Sequence, residues 1–216
     1  MEKVDPQAKV DADVFRESRF YNQECEVAFN AHIYPLKMIF EKFSMMNPQA
    51  GKARFGIDES IALFGTTKML GNQIMIRDIR LAFFQSRMIV VDEVRSRAKF
   101  TTLSFVEFLE MLGRCADCTH IPTSEDIEEV GADGVMDYEV KLKEVDPDTF
   151  SRLTARRPSA TMMAPKSRPL AEKLDKFLRM LIGRIAILYK GTLVVGSNTV
   201  KFHKYITPAQ LQELKF

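Results

Sequence analysis

Leu103-Ser104-Phe105-Val106-Glu107-Phe108-Leu109-Glu110-Met111-Leu112 decides the fold class of this chain. An apolar residue opens the stretch, an aromatic stands two later and an acid two after that. From there apolar residues recur at helical spacing. Phe55-Gly56-Ile57-Asp58-Glu59 repeats the register, with Phe55 in the place of Leu103, Ile57 in that of Phe105 and Glu59 in that of Glu107. Ile61, Phe64 and Leu70 carry the first copy on as a helix. A second helix stripe precedes each copy: Leu36, Ile39, Phe40 and Phe43 before the first, and Ile76, Ile79, Phe83, Phe84 and Met88 before the second. The predicted order is helix, loop, helix, connector, helix, loop, helix.

Outward from this pair, the chain divides by composition. Residues 1–34 read as an N-terminal arm that docks through Phe15, Phe20 and Tyr21. Within it Glu24 to Ala31 suits a helix, and Pro35 favours a fresh helix start. Residues 35–119 are the paired unit. Residues 120–168 form an acidic and then basic linker: positions 123–150 hold ten acids against two lysines, a balance that predicts a solvated, extended or weakly helical segment. Residues 151–168 are basic and rich in Pro, Ser and Thr, which predicts a linker without a core. Residues 169–216 begin at Pro169 with an amphipathic helix whose face is Leu170, Leu174, Phe177, Leu178, Leu181, Ile182, Ile185 and Leu188, stopped by Gly191. Thr192 to Phe202 fits a hairpin around Gly196-Ser197-Asn198, and Thr207-Pro208 a short terminal helix. The fold class is mainly α: a paired helix–loop–helix domain with a polar insertion and a C-terminal amphipathic helix.

The 216 residues carry a formal net charge of +2, so no global basic field draws the chain to nucleic acid. No apolar run approaches the roughly 18 residues of a membrane helix, and the first residues lack a secretory core. Cys25, Cys115 and Cys118 are an odd number with no export signal, which predicts reduced thiols in a cytosolic compartment.

The segment from about Pro35 to Asp117 resembles the EF-hand superfamily. Within it, Arg77-Asp78-Ile79-Arg80-Leu81-Ala82-Phe83, Leu103 to Glu110 and Arg114-Cys115-Ala116-Asp117 resemble the divergent paired hands of ciliary and flagellar axonemal proteins of protists. In such hands a bidentate acid closes a calcium loop whose early positions also carry Asp or Asn. Here the closing acids are Glu59 and Glu107, but the ligand places hold Pro48, Ala50 and Lys52 in the first loop and Ser96, Ala98 and Phe100 in the second. Thr101 stands in the glycine place. A hard cation wants six to eight oxygens. Both acids are therefore expected to cap the exiting helices instead, and neither a metal nor any other cofactor is expected.

Other motifs yield less. Gly131 to Glu139 imitates a third loop but has Val140 in the closing place, so it reads as an acidic turn. Cys115-Ala116-Asp117-Cys118-Thr119-His120 lacks a nearby fourth zinc ligand and reads as packing. His32, His120 and His203 are isolated, and no phosphate loop or nucleophile elbow is present, so no catalytic residue is assigned. Arg156-Arg157-Pro158-Ser159 makes Ser159 a candidate phosphorylation site. The basic residues Arg152, Arg156, Arg157, Lys166, Arg168, Lys173, Lys176, Arg179 and Arg184 suit an acidic surface such as tubulin, or else a solvated face.

What the resemblance implies is a structural or adaptor role on a microtubule-based assembly, the cytoskeleton of a cilium or flagellum. Protein partners are expected, axonemal proteins or tubulin, with no membrane and no nucleic acid. Ile39, Phe40, Phe43, Phe64, Phe83, Phe84, Phe105, Phe108 and Met111 are the candidate apolar groove, filled by residues 170–188 or by a partner helix. The alternative is a soluble calcium-responsive EF-hand regulator.

Overall fold

The computed structural model describes residues 13–44, 54–71, 73–88, 95, 100–154 and 168–206. These are mainly helical, with one two-stranded sheet. A π-helical turn, Arg16–Phe20, leads into α1 (Gln23–Asn30) and α2 (Ile33–Ser44). Then follow α3 (Ile57–Thr66), α4 (Ile76–Ser86) and α5 (Phe105–Cys118). Next are α6 (Ser124–Glu129), α7 (Val135–Val145), α8 (Pro147–Thr154) and the long α9 (Leu170–Leu188). Strands β1 (Thr192–Val195) and β2 (Asn198–Lys201) pair antiparallel, and a 3-10 turn, His203–Tyr205, closes the described chain.

One device starts four of these helices, α3 to α6. An acid three positions in reaches back to the amide preceding the helix, giving one otherwise unmet donor a charged acceptor. Gly56 N–H donates to Glu59 (2.9 Å), Met75 N–H to Asp78 (3.3 Å), Ser104 N–H to Glu107 (2.7 Å) and Thr123 N–H to Asp126 (2.6 Å). At α1 the cap is Asn22, whose side-chain oxygen accepts from Cys25 N–H at 2.8 Å. At the far end of α9, Lys190 and Gly191 turn left-handed (φ 50° and 78°), and Gly191 N–H closes on the Ala186 carbonyl at 2.7 Å. The hairpin turns at Gly196 (φ 58°), as the motif around Gly196-Ser197-Asn198 predicts.

The two segments that share a register in the sequence meet at one point. Phe55 and Leu103 form an isolated antiparallel bridge, with Leu103 N–H donating to the Phe55 carbonyl at 2.8 Å. Phe55 packs its ring on Phe108 (centroids 4.8 Å) and Phe40 (5.3 Å), and Phe40 meets Phe105 at 5.6 Å. This aromatic knot ties α2, α5 and the bridge together. The loop positions Pro48, Ala50, Lys52, Ser96 and Ala98 lie outside the described residues.

Helix α9 runs through the centre. Leu174, Phe177, Leu178, Leu181, Ile182 and Ile185 are all fully buried, against α5, α1, α7 and the 3-10 turn. Gly183 permits that closeness, since a Cβ there would lie 2.7 Å from the Tyr205 carbonyl oxygen and 2.8 Å from Met136 Sδ.

Two expectations are corrected. Residues 123–150, expected as extended or weakly helical, form α6, α7 and the start of α8. The charge imbalance misleads because the acids occupy outer faces, while Val135, Tyr138 and Leu142 fall on one side of α7 and are buried. The stretch expected as linker from residue 120 is therefore structured as far as residue 154. The N-terminal arm docks through Phe15 and Phe20, which pack on the core, whereas Tyr21 is 59% exposed. Residues 155–167 with Ser159, and the terminal stretch from Thr207, lie outside the described residues.

Candidate functional site

Glu59 and Glu107 stand at the entrances of α3 and α5, and both carboxylates are engaged by backbone. Among the described residues Glu59 accepts from Gly56 N–H alone. Glu107, buried at 8% exposure, accepts from Ser104 N–H through one oxygen and from Met88 N–H through the other, the second at 2.6 Å. Met88 lies just past the end of α4, so Glu107 clasps the two ends of the 88–104 connection. That is the geometric task a chelated cation performs in a binding loop, performed here by two amide donors. Among the described residues, no cluster of three or more His, Cys, Asp or Glu side chains is placed to hold a metal.

Of the candidate groove residues, Ile39, Phe43, Phe64, Phe83, Phe108 and Met111 are buried, and Phe40 and Phe105 are partly so. Phe64 approaches Phe177 of α9 at 6.4 Å between ring centroids. Phe84 does not belong with them. It is 52% exposed, packs edge-on to Phe83 and lies under the Arg87 guanidinium at 4.8 Å. The apolar face from Leu170 to Ile185 is covered by the chain itself, whereas Leu188, expected on that face, is 47% exposed.

Three polar nodes hold the outer elements to this core. In the first, both Glu110 oxygens accept from Arg16 Nε at 3.0 Å, and one also accepts from Arg114 at 2.9 and 2.8 Å. Arg114 lies over the Phe15 ring at 4.2 Å and reaches Gln85, whose carbonyl accepts from Arg16. Burial opposes the charge on Arg16, yet the Glu110 carboxylate holds this guanidinium above its ordinary pKa. Arg114, more deeply buried, is pulled below its own despite the same partner. In the second node Arg19 donates to Asp117 at 2.6 Å and to the Arg168 carbonyl at 2.8 Å, while Lys173 donates to the Asp117 carbonyl at 2.6 Å.

The third node centres on His32, buried between α1 and α2. Its Nδ1 lies 2.8 Å from the Tyr205 hydroxyl and its Nε2 2.8 Å from Asp175, which also accepts from Arg179 at 2.7 Å. The His32 contact, with Arg179 behind it, lowers the Asp175 carboxyl to about 2. A hydroxyl, an imidazole and a carboxylate in line have the form of a catalytic relay. Here the Tyr205 hydroxyl belongs to a buried residue, and burial pushes its pKa upward, away from nucleophilic use.

The chain matches no protein-family profile, no curated protein and no solved structure.

The basic residues of the last helix are largely engaged within the molecule. Arg168 donates to the Ile121 carbonyl at 2.6 Å, Lys176 to Pro122 and Ser124, and Arg184 to Glu139 and the carbonyls of Thr67 and Lys68. Arg184 thus meets the carbonyl end of α3, where positive charge is favourable, and Arg168 and Lys176 hold the segment between α5 and α6. Cys115 and Cys118 are buried and pack in the core. Gly131 ends the turn after α6, and Glu139, in the imitation of a third loop, pairs instead with Arg184 at 3.0 Å. Reading the sequence alone missed the roles of Arg16, Glu110 and Asp175. One signal was available: Glu110, Arg114 and Asp117 interrupt a helix face otherwise suited to burial at four- and three-residue steps.

Proposed function

We propose that this protein is a non-catalytic scaffold or adaptor built on a calcium-free EF-hand pair, residues 35–119, and that it serves a microtubule-based assembly such as the axoneme of a cilium or flagellum. The observation that carries the calcium-free part is Glu107 accepting from two backbone amides, one at each oxygen, so a cation would compete with both for bidentate use of that carboxylate. The Phe55–Leu103 bridge supports the pairing, being the contact through which two such loops would touch. The internal packing of α9 supports a static role: a sensor needs an apolar groove that opens to a target, and here the face from Leu170 to Ile185 is buried within the chain, in part against α5 and Phe64. Partner helices would accordingly dock on an outer face, not in the groove proposed from sequence. The axonemal part rests on the resemblance of Arg77–Phe83, Leu103–Glu110 and Arg114–Asp117 to divergent hands of that kind. No helix among the described residues is long and apolar enough to cross a membrane, which is compatible with this setting.

The test is fractionation of ciliated cells expressing the tagged chain, extracted with detergent in calcium and in chelator. Equal retention in the axonemal pellet under both conditions is expected. Release of the whole pool into the soluble fraction overturns the assembly reading, and calcium-dependent retention overturns the calcium-free one.

A further inference from the structure

One face of α4 presents apolar and basic side chains together to solvent. Ile76, Arg77, Arg80 and Phe84 fall within about 100° of one another around the helix, and all four are exposed, Ile76 at 42% and Phe84 at 52%. Asp78, Ala82 and Ser86, on the opposite side, are buried. Phe84 is held in place although half of it is in water. Its ring packs edge-on to Phe83 at 5.6 Å, and the Arg87 guanidinium lies over it at 4.8 Å and over Phe100 at 4.3 Å. An aromatic fixed in this way has little rotamer freedom left to lose when a partner docks on it.

The charge of this face is positive. Among the described residues, no ion pair, hydrogen bond or ring contact engages Arg77 or Arg80. Arg77 stands in the first helical turn, where the helix dipole disfavours a cation, so the stability of α4 does not account for it. The single acid of α4, Asp78, is buried and turned back onto the Met75 amide. On the helices packed against α4, Glu107, Glu110 and Asp117 of α5 are buried and engaged, and Glu59 of α3 caps Gly56. Asp58, in the first turn of α3, is exposed. The N-terminal turn with Asp13 and Glu17 reaches α4 through Arg16 at Gln85, about 140° round from Arg80. Glu139, which meets Gln73 ahead of α4, is paired with Arg184. In sequence, residues 88–100 hold Asp92 and Glu93 against Arg95, Arg97 and Lys99. The balance around the stripe stays positive. Unpaired guanidinium groups of this kind suit carboxylates, whose two oxygens match their paired N–H donors.

We propose that this face of α4 binds an acidic segment of a protein partner, with carboxylates on Arg77 and Arg80 and apolar side chains on Ile76 and Phe84, about 12 Å apart along the helix. The proposal rests on the adaptor reading in taking the occupant to be a protein, and it gives that adaptor its outer docking face.

The probe is a fluorescent synthetic peptide of about twelve residues, glutamates with a leucine at every fourth place to match that spacing, titrated by anisotropy into the full chain at low salt. Saturable binding is expected, weakened by added salt and weakened on the order of tenfold when the glutamates are exchanged for lysines. The double variant Arg77→Glu, Arg80→Glu should weaken it on the order of tenfold, and Phe84→Ser about five- to tenfold. The double variant Lys37→Glu, Lys201→Glu reverses as much exposed charge on α2 and β2 and should change binding about twofold or less. An unchanged circular dichroism spectrum checks that each variant folds. No binding to wild type, equal losses in the two double variants, an unaffected Phe84→Ser, or equal binding of the lysine peptide overturns the proposal. So does self-association in sedimentation that Arg77→Glu, Arg80→Glu dissolves, which would assign the face to the acidic α6–α8 of a second copy. Axonemal retention of wild type with equal retention of Arg77→Glu, Arg80→Glu overturns the docking face and leaves the adaptor reading standing. Intact peptide binding with no axonemal retention upholds the docking face and removes the adaptor reading.

Discussion

Replacing Glu107 by alanine should destabilise the fold far more than the same change at Glu59, although the two acids occupy equivalent places in the sequence. Glu107 is buried and accepts from the amides of Ser104 and Met88, whereas Glu59 accepts only from Gly56. A hydrogen bond to a charged acceptor contributes about 1.5–3 kcal/mol, and a buried donor left unmet carries its own penalty. Loss of a single helix-start acceptor costs about 1 kcal/mol. Glu107→Ala should therefore cost about 3–4 kcal/mol and Glu59→Ala about 1 kcal/mol. With a urea slope of about 3 kcal/mol/M, the unfolding midpoint falls by about 1 M for the first and by a few tenths for the second. Glu107→Gln, keeping one carbonyl oxygen, should lie between. Urea melts followed by circular dichroism in chelator read all three. Equal shifts at positions 59 and 107 would refute the reasoning, because they would mean that the Met88 clasp contributes nothing.

Glu110→Ala leaves Arg16 and Arg114 without their shared carboxylate in a largely buried setting, and should cost about 3–5 kcal/mol in the same melts. Gly183→Ala places a Cβ against the Tyr205 carbonyl, which as backbone cannot swing aside; a loss of about 1–3 kcal/mol is expected in thermal unfolding. Asp175 is lowered to about 2 by His32 and Arg179. The folded chain therefore binds fewer protons at this group than the unfolded chain does. Its stabilisation is present above the ordinary carboxylate pKa and is lost as pH falls from about 4 through about 2. The carboxylate is partly exposed, so solvent screening reduces the size of the effect. Asp175→Asn should flatten the stability–pH curve across that acid window and leave its neutral limb parallel to wild type.

The elements that show a single period in the sequence are those the structure returns. The face from Leu170 to Ile185 announces a buried helix whatever it packs on, and Gly191 marks where the chain must turn left-handed. The shared register of Phe55 and Leu103 foretells their bridge because each begins an identical run of apolar, aromatic or branched, and acidic residues. The segment after Pro122 was misread for a physical reason: net charge reports the solvated face, and only three residues on α7 need burial to hold it. Phe84 was placed in the groove because it neighbours Phe83, yet adjacent helix positions point about 100° apart and Phe84 faces outward. The nodes around Glu110 and His32 join residues distant in the chain, and no local pattern encodes such pairings.

The most direct measurement of the central claim is a calorimetric titration of calcium into the full-length, chelator-stripped chain. No saturable heat through the micromolar range is expected, since Glu107 and Glu59 are already engaged by backbone amides. Saturable micromolar binding that Glu107→Ala abolishes would contradict it, because the carboxylate would then be a ligand and not a clasp.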